Sequence, residues 1–279
     1  MLVLHAGSYR LSLARPLVMG IVNVTPDSFS DGGRLGDAQA AIQHALKLLE
    51  DGADILDVGG ESTRPGAAAV PFDEEVRRVL PVIEALARQG CVVSIDTRKP
   101  EVMRVALDAG AVMVNDVMAL RTPGALEAVA ASDAAVCLMH MQGEPQSMQQ
   151  SPSYADVVAE VKRFLQGRVG ACEAAGINRE RLVIDPGFGF GKTLLHNLVL
   201  LKHLDHLAEL GLPVLAGLSR KSMLGMLTGR AVEEREFSGV AAHLAAVARG
   251  ARLVRVHNVA AMRDALAIWN AVEEQQDGT

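Results

Sequence analysis

The sequence predicts a single α/β domain that folds as a (β/α)₈ TIM barrel. Eight short apolar, β-branched runs are spread along the 279 residues, and segments with a helical period separate them. Nearly every apolar run ends in a polar residue. Apolar strands that alternate with helices are typical of a parallel sheet buried on both faces, and eight such units close into a barrel of about 250 residues. No linker or shift in composition divides the chain, so residues 1–279 are predicted to form one domain.

The individual elements follow from these patterns. The start of the chain, residues 1–15, alternates loosely around Ala6-Gly7-Ser8 and predicts a short N-terminal β-hairpin. The predicted barrel strands are 17–22, 54–58, 92–95, 112–114, 136–139, 182–184, 213–215 and 253–256. The predicted helices are 37–50, 73–89, 99–109, 123–131, 153–175, 194–210, 238–249 and 259–274.

Composition argues against several classes of function. The formal net charge is −6 and Lys and Arg form no cluster, so no nucleic-acid partner is predicted. No apolar run approaches the roughly 20 residues that span a bilayer, and residues 1–10 do not resemble a signal peptide. An odd number of cysteines without metal-ligand spacing fits reduced thiols in the cytoplasm; these are Cys91, Cys137 and Cys172.

Polar residues at the strand ends predict the active site. In a barrel all eight strand ends meet at one face, where such enzymes keep their active sites. Each residue alone could serve as a helix cap or turn residue, but Lys and Arg do not act as N-caps, so a shared site explains the set better. The set comprises Asn23, Asp57 with Glu61, Asp96, Asn115, His140, Asp185, Ser219-Arg220-Lys221, and Arg255 with His257.

The stretch VIDPGFGFGKT at 183–193 is a candidate ligand-binding loop. An apolar run ends at Asp185, Pro186 stops strand pairing, and three alternating glycines follow. A phosphate-binding P-loop would need glycine in place of Pro186, and the dinucleotide fingerprint needs a different glycine spacing. One reading is a glycine-rich turn with a buried carboxylate as its cap. The other is a loop that presents Asp185, Phe188 and Phe190 to a flat ligand.

Two further groups of residues predict what this ligand contains. Asp96 and Asn115 end neighbouring strands, and together with Asp185 they suit a heterocycle with several N–H donors, because a carboxylate accepts two parallel hydrogen bonds from such an edge. Ser219-Arg220-Lys221-Ser222 precedes a helical stretch and suits an anion such as a carboxylate. Arg255 and His257 alternate after the last strand and suit phosphate or diphosphate, although a lone histidine is more often a core or surface residue.

The chain resembles the dihydropteroate synthase family in six segments that occur in the same order along nearly its whole length. They are the two long polar loops, 23–33 and 59–67, and residues 94–98, 185–192, 219–222 and 255–257. Two positions depart from the family pattern, Asn258 and Glu144, and neither carries assigned chemistry. The resemblance implies condensation of a dihydropterin pyrophosphate with para-aminobenzoate. It also implies a homodimer, with the last helices as the candidate interface.

The resemblance also implies a role for each matching residue. The pterin would be held by Asp185, Asn115, Asp96 and Lys221, with Met139 and Gly217 lining its pocket. The diphosphate would be bound by Arg64, Arg255 and His257, and Asn23 would ligate Mg²⁺. The aminobenzoate pocket would be formed by Ser222, Thr63, Pro65, Phe29, Phe188, Phe190 and the stem of Lys221.

The implied chemistry is consistent with these residue types. Mg²⁺, Arg255 and His257 would stabilise the departing diphosphate, and Asp96 would stabilise the methylene cation left on the pterin. The two loops would act as lids that exclude water. An aromatic amine is already a nucleophile, so no obligatory general base is expected. A pterin-binding methyltransferase domain and a non-catalytic pterin-binding homologue are two alternatives, and the Thr63-Arg64-Pro65 loop and the anion-binding residues argue against both. A third alternative, a structural barrel, leaves the polar strand ends unexplained.

Overall fold

Eight parallel strands form a closed barrel in the computed structural model, which describes residues 2–25, 33–62, 69–143 and 147–273. Together with the two strands of the N-terminal hairpin, the described residues form ten strands, which are β1 (Val3–Ala6), β2 (Tyr9–Ser12), β3 (Leu17–Asn23), β4 (Ile55–Gly59), β5 (Val93–Asp96), β6 (Met113–Asp116), β7 (Ala135–Met139), β8 (Leu182–Asp185), β9 (Val214–Ala216) and β10 (Ala251–Val256). β3 to β10 follow one another around the barrel in chain order, and β10 pairs with β3 to close it. The predicted barrel and N-terminal hairpin are confirmed.

Helices surround this barrel. They are α1 (Gly33–Glu50), α2 (Phe72–Arg88), α3 (Pro100–Asp108), α4 (Ala125–Ala130), α5 (Val157–Ala174), α6 (Leu194–Lys202), α7 (Asp205–Ala208), α8 (Ser222–Thr228), α9 (Glu236–Val247) and α10 (Val259–Glu273). Within the described ranges, none of these helices is both long enough and apolar enough to cross a bilayer.

Side chains on the barrel strands alternate between the interior and the helices. One buried cluster fills the interior and includes Met19, Ile55, Met113, Val183 and Leu253. The residues next to them in sequence belong to the larger core between strands and helices. Because side chains in a strand alternate with a period of two, the next interior positions toward the carboxyl ends can be read directly. They are Asn23, Asp57, Asp96, Asn115, Met139, Asp185, Gly217 and Arg255, and this register brings the predicted site together.

The N-terminal hairpin covers the opposite end of the barrel. Leu4, Ala6 and Leu13 are buried in the same cluster as the interior strand residues. The turn between β1 and β2 is fixed by the Gly7 N–H, which donates to the carbonyl of Asp133 over 2.9 Å. Gly7 has a φ of +57°, which a glycine adopts without strain. The amino end of the barrel is therefore packed with apolar side chains, and the polar interior positions lie at the carboxyl end.

The predicted helix 194–210 is wrong in one respect, because α6 ends at Lys202 and α7 begins at Asp205. His203 has φ −114° and ψ 34°, outside the helical range. Leu204 and Leu207 are nevertheless buried, so the apolar period continues across the break and gives no sign of it. The segment after the seventh barrel strand also forms a separate short helix, α8, directly behind the Ser219–Lys221 turn.

Candidate active site

Four side chains from four strands form a hydrogen-bonded network at the carboxyl end of the barrel. Arg255 on β10 reaches across the interior, where its Nε donates to Asp57 Oδ2 over 2.6 Å and its Nη2 donates to Asp96 Oδ2 over 2.7 Å. Asn115 Nδ2 donates to the same Asp57 oxygen over 3.0 Å. Asp57, Asp96 and Asn115 are all buried. The register thus brings together four of the strand-end residues that the sequence predicted to form the site, and Asp57 is the one among them to which no role in binding was given.

Burial and mutual charge determine the ionisation of this network. Burial, opposed by the guanidinium of Arg255 and supported by the carboxylates of Asp57, Glu75 and Asp116, raises the pKa of Asp96 to about 7. Burial alone would lower the pKa of Arg255, but the carboxylates of Asp57 and Asp96 outweigh it and raise that pKa. Arg255 therefore keeps its charge, and Asp96 changes its charge near neutral pH.

Asp185 ends β8 at the same face. Its Oδ1 accepts a hydrogen bond from the Gly187 N–H over 2.6 Å, and its backbone carbonyl accepts one from the His140 N–H over 2.9 Å. Burial raises the pKa of Asp185, while the Gly187 N–H and the positive charge of Lys221 oppose that shift. The carboxylate therefore caps the turn, as the first reading predicts, and it also lies at the barrel mouth; its contact with a ligand stays a prediction.

The loop after Asp185 is folded tightly by glycine and by Lys192. A Cβ on Gly187, whose φ is +66°, would lie 2.0 Å from the carbonyl oxygen of His140. Beneath the loop, the buried ammonium of Lys192 donates to the carbonyls of Gly187 and Phe190, each over 3.0 Å, and lies 2.9 Å from His140 Nδ1. Burial lowers the pKa of Lys192 to about 7 and that of His140 to about 3, so His140 is the neutral acceptor of this pair. Sequence reasoning assigned neither residue this role.

The two phenylalanines of the loop point in different directions. Phe190 is half-buried against a cluster that contains Met139, and the ammonium of Lys221 lies 4.1 Å from the centroid of its ring. Burial lowers the pKa of Lys221 to about 8, and the carboxylate of Asp185 opposes the shift. Phe188 is 1% exposed and belongs to the core between strands and helices. The expectation that Phe188 presents its ring to a ligand is therefore wrong, because the turn directs it inward.

The segment after β9 meets the segment after β10. Ser219 Oγ lies 2.9 Å from His257 Nδ1 and also accepts from the His257 N–H over 3.3 Å. Lys221 directly precedes α8, and Ser222 is its first residue and is exposed. Asn258, one of the two departures from the family pattern, accepts from the Ala261 N–H over 3.1 Å and so caps the last helix.

An ion-pair network lies at the start of the second predicted lid. Glu61 forms ion pairs with Arg98, over 3.1 Å, and with Lys99. Lys99 also pairs with Glu75, which accepts from Thr97 Oγ1 over 2.6 Å. Glu75 is completely buried, so this network fixes the backbone directly before the loop. The sequence signal for it was limited to Glu61 and the Ser94–Arg98 motif.

The remaining predicted residues have mixed outcomes. Asn23 is half-buried at the end of β3 and pairs in register with Gly59. A Cβ on Gly217 would have no neighbouring atom within 4 Å, so this interior position faces open space. Met139 is buried on β7 beside Asp185. Some predicted site residues lie outside the described ranges, as do most of both predicted lids and Glu144; these residues are Phe29, Thr63, Arg64 and Pro65.

Comparisons with known proteins agree with this geometry. Residues 19–257 match the family model described as pterin binding enzyme. Over 275 residues the chain is 53% identical to a dihydropteroate synthase of Neisseria meningitidis serogroup C, covering 97% of both chains. Two solved structures of Xanthomonas albilineans dihydropteroate synthase are also similar. One, with 4-aminobenzoic acid, has a TM-score of 0.94 at 59% identity and 99% coverage of both chains. The other, with 7,8-dihydropteroate, has a TM-score of 0.90 at 56% identity, covering 98% of this chain and 100% of that one.

Proposed function

The chain belongs to the dihydropteroate synthase family of pterin binding enzymes, and from this premise we propose how its barrel mouth performs the reaction of that family. The chain is a transferase that condenses 6-hydroxymethyl-7,8-dihydropterin pyrophosphate with para-aminobenzoate, giving 7,8-dihydropteroate and pyrophosphate. The observation that carries the assignment to this site is the buried network of Asp57, Asp96, Asn115 and Arg255 at the carboxyl end of the barrel. The comparisons give no support to a methyltransferase or a non-catalytic homologue.

The pterin subsite is proposed to consist of Asp185, Asn115, Asp96 and Lys221, above Met139 and Gly217. The polar members have buried or half-buried side chains at the ends of β5, β6 and β8 and directly before α8. Two carboxylates and one amide at interior positions suit a heterocycle that presents several N–H groups. An analogue that lacks these groups would leave buried acceptors unpaired, at about 1–3 kcal/mol each, so the subsite discriminates between ring systems.

The diphosphate and the aminobenzoate are proposed to bind on either side of this pocket. Arg255, His257 and Arg64 are assigned to the diphosphate, and the charge that Arg255 retains supports its part in this. Ser222, Phe190 and the stem of Lys221 are assigned to the aminobenzoate, because they adjoin one another at the start of α8. Thr63, Pro65 and Phe29 complete that assignment from the family resemblance, and the buried Phe188 is left out of it.

Mg²⁺ is proposed as the metal, with Asn23 as its protein ligand. The residue fits, because an amide oxygen at an interior strand end is a hard donor, and Mg²⁺ is commonly held by one or two protein oxygens together with substrate phosphates and water. When bound, the ion would neutralise charge on the diphosphate.

The proposed mechanism is substitution at the methylene carbon of the pterin. The C–O bond to diphosphate breaks, and its electron pair leaves with the diphosphate, whose charge Arg255 and His257 stabilise. The remaining cation is conjugated to the pterin ring, and ionised Asp96 stabilises it. The amine lone pair of para-aminobenzoate then forms the new C–N bond. The resulting ammonium group loses one proton to the released diphosphate or to water, so no single side chain is an obligatory base.

The chain is further proposed to act as a cytoplasmic homodimer. All three cysteines are buried free thiols, which fits a reducing compartment. The helices α8, α9 and α10 pack side by side and carry large exposed apolar side chains. These are Met226, Leu227, Phe237, Ile268 and Val272. Such a group of apolar residues is typical of an interface, and the proposed occupant is a second copy of this chain.

The test is pyrophosphate release from the dihydropterin substrate with Mg²⁺, with and without para-aminobenzoate, while dihydropteroate is followed in parallel. Product is expected only when the amine is present, and Asp185→Ala or Arg255→Ala is expected to abolish it. Arg252→Ala is the matched control, because Arg252 is exposed on the same strand as Arg255. Tight pterin binding without pyrophosphate release from the wild-type chain would overturn the assigned reaction.

A further inference from the structure

Asp57 occupies the centre of the network but has not been given a role in binding substrate. Its exposure is 0%, and it lies on β4 at the level of Ser94 on β5. One oxygen, Oδ2, accepts from Arg255 Nε over 2.6 Å and from Asn115 Nδ2 over 3.0 Å. Its two partners are a proposed diphosphate ligand and a proposed pterin ligand, so a single atom links both subsites.

These two hydrogen bonds fix the orientations of the Asn115 amide and the Arg255 guanidinium. A carboxylate only accepts hydrogen bonds, so Asn115 must turn its NH₂ group toward Asp57. The amide therefore offers its oxygen and one remaining hydrogen to the ligand, in a fixed direction. For Arg255, the bond from Nε to Asp57 and the bond from Nη2 to Asp96 define the plane of the guanidinium.

A purely stabilising role explains Asp57 poorly. Its second oxygen, Oδ1, has no hydrogen-bond partner among the residues that the structure describes, and the same is true of the neighbouring Ser94 Oγ. An unpaired buried acceptor costs stability, and apolar side chains often stabilise a core better than a buried ion pair does. A buried carboxylate with an unpaired oxygen therefore calls for a functional explanation.

We propose that Asp57 is a positioning residue that couples the pterin and diphosphate subsites by holding Asn115 and Arg255 in fixed orientations. It touches neither substrate, because it is fully buried beneath both partners. This proposal rests on the substrate-binding roles given above to Asn115 and Arg255. It extends them by a residue that acts only through them.

Steady-state kinetics of Asp57→Ala and Asp57→Asn test this role. Asp57→Ala is expected to lower kcat/KM for the dihydropterin substrate by about 10- to 100-fold, since displacing a positioned group by about 1 Å can cost 100-fold. The KM for para-aminobenzoate is expected to stay within about twofold, because its proposed pocket shares no hydrogen bond with Asp57. Asp57→Asn keeps an acceptor oxygen of the same size, so its activity is expected to lie between those of Asp57→Ala and the wild type.

Asp54→Ala is the matched control. Asp54 directly precedes the same strand and also pairs with arginines, Arg15 and Arg263, but at the opposite end of the barrel. This variant is expected to unfold at lower temperature while both KM values stay unchanged. An equal rise of both KM values in Asp57→Asn, or the same pattern in Asp54→Ala, would show a merely structural role and overturn the proposal.

A double-mutant cycle separates this proposal from the assigned reaction. If Asp57 acts through Arg255, the Asp57→Ala change is expected to lower kcat/KM by a smaller factor in an Arg255→Ala background than in the wild type. The two factors are expected to differ by at least about threefold. If the loss of kcat/KM in the double variant equals the product of the two single losses, Asp57 and Arg255 act independently. That result would contradict the proposal while leaving the synthase reaction itself in place. If Arg255→Ala alone left turnover unchanged, the proposed role of Arg255 would fail first.

Discussion

Asp96 and Lys221 are the two site residues whose pKa values bracket a narrow range near neutral pH. Asp96, with a pKa of about 7, is ionised above that pH, and Lys221, with a pKa of about 8, is protonated below that pH. The proposed mechanism needs the Asp96 carboxylate, and the proposed pterin subsite includes the Lys221 ammonium. The kcat/KM of the synthase reaction is therefore expected to be highest between about pH 7 and pH 8 and to fall on both sides, as measured across pH 5.5–10.

Two variants identify the groups responsible for these limbs. Asp96→Asn cannot ionise, so its residual activity is expected to lose the acidic limb, while any contribution from ionisation of the diphosphate remains. Lys221→Arg keeps a positive charge at all accessible pH values, so the alkaline limb is expected to disappear. An acidic limb that persists unchanged in Asp96→Asn would assign it to the substrate.

At the residue scale, the sequence predicted most of the side chains that the fold brings together. Asp96, Asn115, Asp185 and Arg255 could be found because each ends an apolar run, and parallel strands place all such ends at one face. Asp57 was found in the same way, but its hydrogen bonds to Asn115 and Arg255 could not be predicted, since these partners are 58 and 198 residues away along the chain. Neither could the inward direction of Phe188, which depends on positive φ angles at the glycines beside it.

At the scale of elements, the loop after β8 depends on Gly187 for two separate reasons. Its φ of +66° disfavours any side chain, and a Cβ would lie 2.0 Å from a backbone carbonyl that cannot move away freely. Gly187→Ala is therefore expected to lower the free energy of unfolding by about 2–4 kcal/mol, the sum of strain and overpacking. The same change is expected to weaken pterin binding, because Asp185 is capped by the Gly187 N–H.

Gly176→Ala separates the two causes. Gly176 has a φ of +85°, but a Cβ there would have no neighbour within 4 Å. Its expected cost is about 1 kcal/mol, from backbone strain alone, with no change in ligand affinity. Urea denaturation and pterin titration of both variants check this. Equal losses of stability in the two variants would contradict the close approach at Gly187.

The strands were easier to predict than the helices, for a physical reason. The predicted strand boundaries differ from the observed ones by at most two residues, because each strand is a buried apolar run bounded by polar residues. The break between α6 and α7 has neither glycine nor proline to mark it. It arises from packing, since Leu200, Leu204 and Leu207 are buried on both sides of it. Helix α8 was hidden for a different reason, because it has only seven residues.

At the scale of the whole molecule, the proposed active site and the proposed dimer interface lie in different parts of the barrel. The interior is apolar toward the hairpin and polar toward the carboxyl ends of the strands. Asp96 on β5 and Arg255 on β10 meet inside one chain, so the network described above needs no second subunit to form. The exposed apolar side chains of α8, α9 and α10 lie on the outer helical layer instead. Assembly and catalysis are thereby assigned to different parts of the fold.

This separation makes the proposed homodimer testable independently of turnover. Phe237, which is 87% exposed, and Ile268 lie on the adjacent helices α9 and α10. Analytical ultracentrifugation of the wild-type chain is expected to give twice the mass of one chain. The double variant with Phe237→Glu and Ile268→Glu is expected to sediment as a monomer, because two carboxylates cannot be buried unpaired in an apolar interface.

Leu195→Glu provides the control for this change in mass. Leu195 is 67% exposed on α6, outside the three helices proposed to form the interface, so this variant is expected to remain a dimer. The monomeric double variant, Phe237→Glu with Ile268→Glu, is expected to keep its turnover, because the hydrogen-bonded network is complete within one barrel. A wild-type chain that sediments as a monomer would contradict the dimer. Loss of turnover in a folded, monomeric double variant would instead show that the second copy supports the active site.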